Sequence, residues 1–361
     1  MVHITGNFLA ESPLSPKARE ALNDAMEQGW GDPRKLAHSA AKVRILHEAS
    51  LASLAENLGL RADEVEILGE PALGYFYSIC GLLRPEETLI YSSVDRKEVF
   101  AIARSHQKST ELSVETSGRI SPEALAEHGR ASGVFALQVA NGETGVSQDI
   151  EALIGHSGNL RLACDFSSAA TRVPLPSRWD SAFFDAKSWQ GPHGIGIVAI
   201  RNNSKWKNPL PHLGSTRTPQ SASLPLAIAA AVALEEWRDR EKEEGSRLRT
   251  LTREFRKTIG ASVEYCDIAG DLDDSMPHIT SLSFLYVQGE ELLRKLETDG
   301  FAVDSGSACT AEDLQPSHVL AAMGVLTHGN IRITLHHGAN ASEVHNLATS
   351  IVNAVRDLRA V

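Results

Sequence analysis

The sequence predicts an α/β chain, with a large unit on a mostly parallel sheet followed by a smaller α+β unit. Through the first two thirds, short apolar runs alternate with helical patterns, as βαβ units require. At 361 residues the chain exceeds a single typical core. A helical stretch from Leu224 to Ile259 then separates that alternation from a different order of elements.

The apolar runs place strands at Val65 to Leu68, Leu89 to Ser92, Val134 to Val139, Leu160 to Asp165, Ala182 to Asp185 and Gly196 to Arg201. Helical spacing marks Lys42 to Leu58 and Arg96 to His106 between them. The stretch from Leu224 is apolar at first and then carries the charge run from Glu235 to Glu244, read as the solvated face of a connecting helix. After Gly260 come a strand (Ile279 to Leu285), a helix (Glu290 to Leu296), a Ser/Gly-rich loop and a helix (Pro316 to Met323). A strand (Ile331 to Leu335) and a final helix complete the order. The expected division is an N-terminal segment, 1–12, packing with the small domain, then a large domain, 13–235, and a small domain, 236–361.

Composition is that of a globular protein, with 42% hydrophobic and 22% charged residues. A net charge of -11 would repel a polyanion, which argues against nucleic acid as a partner. Cys80, Cys164, Cys266 and Cys309 are scattered without Cys-x-x-Cys spacing, so neither a zinc site nor a disulfide framework is expected. That usage points to a reducing, cytoplasmic setting. The first residues show no basic region leading into an apolar core, and no apolar run reaches spanning length, so neither export nor a membrane is expected.

Four residues invite chemistry. Cys309, in Ser305-Gly306-Ser307-Ala308-Cys309-Thr310, has only small and polar neighbours, a setting in which a thiol can be reached and ionised, although a free cysteine is more often a small buried hydrophobe. Lys187 follows the strand 181–185 and precedes Gly191-Pro192-His193-Gly194, so it emerges at a strand end, where α/β proteins bind ligands. A surface lysine would read the same way. Asp165 ends the strand one βα unit earlier, where a carboxylate can hold a pyridine nitrogen protonated, or can simply cap a turn. Arg332 interrupts a strand pattern with a guanidinium suited to a carboxylate, or to solvent.

Together these segments, in order from Pro13 to Val352, resemble the cysteine desulfurases, a class V aminotransferase-like group of fold type I enzymes dependent on pyridoxal 5'-phosphate (PLP). Asn141-Gly142-Glu143-Thr144-Gly145-Val146 is similar to the family's Asn-Glu-x-Gly segment, and Lys187-Ser188-Trp189-Gln190-Gly191-Pro192 to its lysine loop. The Cys309 segment, followed by Pro316-Ser317-His318-Val319-Leu320 and Ile331-Arg332, resembles the subgroup with a longer, flexible catalytic loop. The resemblance implies that Lys187 holds PLP and shuttles the substrate's α-proton, with Asp165, Gly69, Arg96, Asn141, Ser168 and Ser223 around the cofactor. It also implies that Arg332 and Asn141 bind L-cysteine and that Cys309 takes its sulfur as a persulfide, for transfer to an acceptor protein such as an iron–sulfur scaffold. A homodimer is implied as well, and no metal.

The chain departs from that pattern around the cofactor. The phosphate-binding turn falls on Leu68-Gly69-Glu70-Pro71-Ala72, where Pro71 removes a donor and Glu70 adds negative charge. The family's ring-stacking histidine falls on Arg96, its asparagine beside the ring oxygen on Gly142, and the glutamine after the aspartate on Ser168. Ala186 and Phe184 replace a histidine and a serine, and Ser223 stands where a threonine reaches the partner subunit's phosphate. These replacements fit a desulfurase with a rebuilt pocket, or a desulfurase-like homodimer that binds PLP poorly and serves as a non-catalytic sulfur-binding or scaffold protein. Another PLP aminotransferase or lyase would leave the Cys309 segment without a role.

Overall fold

The computed structural model describes residues 6–11, 13–27, 31, 35, 36, 38–212, 214, 216–219, 222–306 and 316–360. In chain order the first elements are β1 (Gly6–Phe8), α1 (Pro16–Glu27), α2 (His38–Leu58), β2 (Val65–Leu68), α3 (Leu73–Cys80), β3 (Thr88–Ser92), α4 (Lys97–Ser105) and β4 (Ser109–Leu112). Next are α5 (Pro122–Ala126), β5 (Gly133–Gln138), α6 (Ile150–His156), β6 (Arg161–Asp165), β7 (Ser181–Asp185) and β8 (Gly196–Ile200). The chain continues with α7 (Leu224–Ser262), β9 (Cys266–Ile268), β10 (Ile279–Phe284), α8 (Gly289–Thr298), β11 (Phe301–Val303), α9 (His318–Met323), β12 (Ile331–Thr334) and α10 (Ala341–Arg359).

The expected α/β class is observed. Seven strands form one sheet in the order β2-β8-β7-β6-β5-β3-β4, parallel from β7 to β4, with β8 antiparallel to both of its neighbours. Its middle is apolar on both faces, as a parallel sheet covered on both sides must be. Along β5, Phe135 and Leu137 enter one core, while Val134 and Ala136 enter another on the opposite face. The six strands read from the sequence coincide with observed ones to within a residue or so. The edge strand β4, Ser-Thr-Glu-Leu, was not anticipated, because an edge half open to solvent needs no apolar run.

The helix α7 is continuous through Leu224–Ser262 and crosses between two cores. Ala227 to Trp237 pack against the large sheet, whereas Leu248, Leu251, Phe255 and Ile259 join a second core with the β12-β10-β9 sheet, α8 and α10. The strand β1 pairs in parallel with β11. The charge run on α7 is not wholly solvated: Glu244 is buried, gripped by Arg247 at 2.6 and 2.8 Å, and accepts from the Gly338 amide at 3.1 Å. That corrects the reading of this run as a plain solvent face.

Candidate active site

A cavity of about 240 Å³ opens where the C-terminal ends of β5, β6 and β7 meet β10 and β12 of the small sheet. This is the edge at which parallel α/β sheets bind ligands. Of the residues singled out in the sequence, Arg96, Ser168, Lys187 and Arg332 line it, with Gly142 beside them.

Lys187 sits in a tight turn, Ala186–Trp189, directly after β7. Asp185 fixes the start of that turn by accepting from the Lys187 amide at 3.1 Å, and its backbone carbonyl accepts from Ser188 Oγ at 2.7 Å. The far end is pinned by Trp189, fully buried, whose indole donates to the Ala230 carbonyl of α7 at 3.1 Å. The Lys187 amine reaches the cavity from this rigid base, with Asp185 Oδ2 as an ion-pair partner at 3.6 Å.

Asp165 closes β6 and is buried. One of its oxygens accepts from the Ser167 amide at 2.8 Å; the other, Oδ2, makes no hydrogen bond among the described residues. Arg96 Nε is 3.6 Å from Oδ2, an ion-pair distance too long for a hydrogen bond, and is itself without a partner. Burial pushes the Asp165 carboxyl upward, and the Arg96 charge works against that. Arg96 also donates to Ser168 Oγ at 2.7 Å and lies 6.0 Å from the Tyr75 ring. Gly142 makes room for this arginine, since a Cβ there would stand 2.5 Å from Arg96 Nη2 and 2.6 Å from Ser168 Oγ. The three replacements at Arg96, Gly142 and Ser168 are therefore one packing change.

A buried carboxylate oxygen without a hydrogen bond, beside a cavity-lining arginine, and a turn-held amine in the same cavity fit the ring and aldehyde of PLP. The turn before α3 does not offer the helix N-terminal cradle that a phosphate uses elsewhere. There the Ala72 amide donates to the Glu70 carboxylate at 3.2 Å, Leu73 to the Glu70 carbonyl at 3.1 Å and Gly74 to the Pro71 carbonyl at 2.8 Å. Pro71 has no amide hydrogen to offer. Gly69, on this turn, is exposed and does not line the cavity.

The reading of Asn141 is corrected. Its side chain donates to the Val94 carbonyl at 2.9 Å and to Gln138 Oε1 at 3.0 Å, and its oxygen accepts from Glu143, Thr144 N and Thr144 Oγ1. It shapes the turn after β5 and has no donor left for a cofactor or substrate. Ser223 begins α7 without a capping bond and does not line the cavity. Cys309 lies outside the described residues. The chain leaves them after Gly306, whose amide donates to Asn330 Oδ1 at 2.8 Å, and returns at Pro316. Asp304, just before that point, exchanges backbone hydrogen bonds with Arg332 at 2.8 and 3.1 Å.

Arg332 lies on β12 opposite Ser281 of β10. Its Nη2 donates to Asp304 Oδ2 at 2.6 Å and its Nη1 to the Gly142 carbonyl at 3.3 Å, while Nε is buried without a partner. Arg172, His278 and Asp304 were missed in the sequence. They have no shared spacing, and only tertiary packing brings Arg172 and His278 to the cavity and Asp304 to cavity-lining Arg332. Among the described residues no helix is long and apolar enough to cross a membrane, and no cluster suits a metal ion.

Residues 75–347 match the family model described as aminotransferase class-V. The chain is 27% identical over 380 residues to cysteine desulfurase IscS of Anaeromyxobacter sp. (strain Fw109-5), covering 98% of this chain and 92% of that protein. Its fold is similar to that of a NifS-like protein from Rickettsia africae, with a TM-score of 0.86 at 18% identity over 99% of this chain and 100% of the other. It is also similar to SspA, solved in complex with cysteine, with a TM-score of 0.75 at 22% identity over 92% of this chain and 99% of the other.

Proposed function

This chain belongs to the aminotransferase class-V family, and from that premise we propose that it is a PLP-dependent cysteine desulfurase, converting L-cysteine to L-alanine with a persulfide on Cys309. The observation that carries this reading is the Lys187 amine in the cavity, with buried Asp165 beside cavity-lining Arg96, its Oδ2 3.6 Å from Arg96 Nε and without a hydrogen bond. Lys187 would bind the cofactor's aldehyde, and Asp165 would face the ring nitrogen with Arg96 and Ser168 along the ring. PLP, when bound, supplies an electron sink next to the substrate α-carbon.

The rest falls to side chains. Lys187 would also take and return the substrate's α-proton. Arg332 holds the α-carboxylate through the fork that Asp304 and the Gly142 carbonyl orient. The Cys309 thiolate forms a bond to the substrate sulfur, and the bond from that sulfur to the β-carbon breaks. Its electron pair stays on carbon, which is protonated to give alanine. Burial pushes the thiols of Cys80 up to about 11 and Cys266 up to about 12, and Cys164 higher still, so these three are poor nucleophiles at neutral pH. Gly306 and Ser317, described residues that precede and follow Cys309 in the chain, both lie against Glu143.

The acceptor in this reading is a protein thiol, such as that of an iron–sulfur scaffold, and the working form is a cytoplasmic homodimer with no metal. Incubating the PLP-supplemented protein with L-cysteine and a thiol reductant should give alanine and sulfide in equal amounts. Cys309→Ser should abolish both while leaving the cofactor spectrum intact. Keto acid in place of alanine, or no product at saturating PLP, would overturn the reading.

A further inference from the structure

The cavity contains four cationic side chains, and three of them have a carboxylate assigned. Arg96 faces Asp165 at 3.6 Å, Lys187 faces Asp185 at 3.6 Å and Arg332 bonds Asp304 at 2.6 Å. Arg172 has no carboxylate within ion-pair distance among the described residues. Its Nη1 donates to the Ser188 carbonyl at 2.8 Å, and its guanidinium lies 4.2 Å over the Trp237 ring. Trp237 is itself fixed, its indole donating to Thr171 Oγ1 at 2.9 Å and Thr171 in turn to Glu241 at 2.6 Å. The guanidinium is thus held in place, yet its buried Nε has no partner.

His278 supplies the second observation. It is only 7% exposed, lines the same cavity, and its Nδ1 has no hydrogen-bond partner among the described residues. Burial and the neighbouring Arg172 charge hold it well below the usual imidazole range, so it is neutral and can donate one hydrogen bond. Burial lowers Arg172 itself to about 10, with the Glu241 and Glu244 charges, which form no ion pair with it, working against that. Arg172 and His278 thus bring a cation without an ion pair and a neutral imidazole to one wall of the cavity, each with a buried nitrogen that has no partner among the described residues.

We propose that Arg172 and His278 form a second oxyanion subsite, so that the cavity binds small molecules carrying two anionic groups, one at Arg332 and one at Arg172. The part given to Arg332 rests on the desulfurase reading; the part given to Arg172 and His278 does not. Stacking alone would explain why Arg172 lies on Trp237, but not why its Nε and His278 Nδ1 are both left unsatisfied in one cavity.

Calorimetric titration of the PLP-supplemented protein at constant ionic strength, with succinate and with butyrate, tests this apart from catalysis. Succinate should bind at least 10-fold more tightly than butyrate. Arg172→Met should remove most of that difference while leaving butyrate and PLP affinity unchanged, and His278→Phe should weaken succinate by a smaller factor. Equal affinity for the two acids in the unmodified protein would overturn the proposal without recourse to any variant. So would an Arg172→Met protein that loses PLP affinity and keeps its succinate preference, since Arg172 would then serve the cofactor. A protein that makes no alanine yet prefers succinate would refute the desulfurase reading and leave the subsite standing.

Discussion

Two places on the same edge of the large sheet handle their polar groups in opposite ways. At the ends of β6 and β7, Asp165 Oδ2 and Arg96 Nε face each other at 3.6 Å without a hydrogen bond to any described residue, and Lys187 turns its amine to the cavity. After β2, which runs in the same direction, Glu70 and Pro71 accept from the three amides that begin α3. The difference teaches that a ligand site is marked by polar groups the protein has not satisfied for itself. By that measure, the ring end of the pocket is built for a cofactor and the turn after β2 is built to stand alone.

The largest expected effect comes from removing the free carboxylate. Asp165→Asn keeps the shape but cannot hold a ring nitrogen protonated, and it should lower alanine formation on the order of 100-fold. A stopped assay of alanine checks it, and near-normal turnover would show that Oδ2 has no part in the chemistry. A smaller effect should follow from rebuilding the other place. Glu70→Thr with Pro71→Ala removes a negative charge from a helix N-terminus and restores an amide donor, changes worth together about 1.4 kcal/mol. PLP affinity, followed by absorbance, should therefore rise about 10-fold. An unchanged affinity would mean that the phosphate does not depend on this turn.

The smallest effect concerns stability beside the ring end. Burial raises the Asp95 carboxyl to about 8, against 3.8 for the ordinary group, although it accepts from the Ser92 amide at 2.7 Å. Between those values the folded chain keeps a proton that the unfolded chain has lost, so stability falls as pH rises through this window. Asp95→Asn retains an acceptor for Ser92 and removes the titration. Its melting temperature should match that of the unmodified protein near pH 4 and exceed it by roughly 1–3 °C at pH 8. Parallel melting curves at both pH values would show that Asp95 ionises freely in the fold.

The central sheet was legible in the sequence because buried parallel strands must be apolar on both faces, and β5 and β7 are. Lys187, Asp165 and Arg332 could be singled out because their positions follow from strand ends or from a charge within a strand, whereas Ser168 came only with the resemblance to the desulfurases. The commitment of Asn141 to its own turn was not, since an asparagine in a loop looks the same whether its amide is free or bonded. Nor was the coupling of Arg96 to Gly142, which depends on a clash only coordinates reveal. Arg172 could not have been found at all, because its significance lies in the carboxylate it lacks.

The most direct test is a visible-absorbance titration with PLP of the unmodified protein beside Lys187→Ala. The unmodified protein should develop a yellow band that saturates at one PLP per chain and survives gel filtration, and Lys187→Ala should not form it. No band at any PLP concentration, or the same band in both proteins, would contradict a cofactor site built on Lys187 and Asp165.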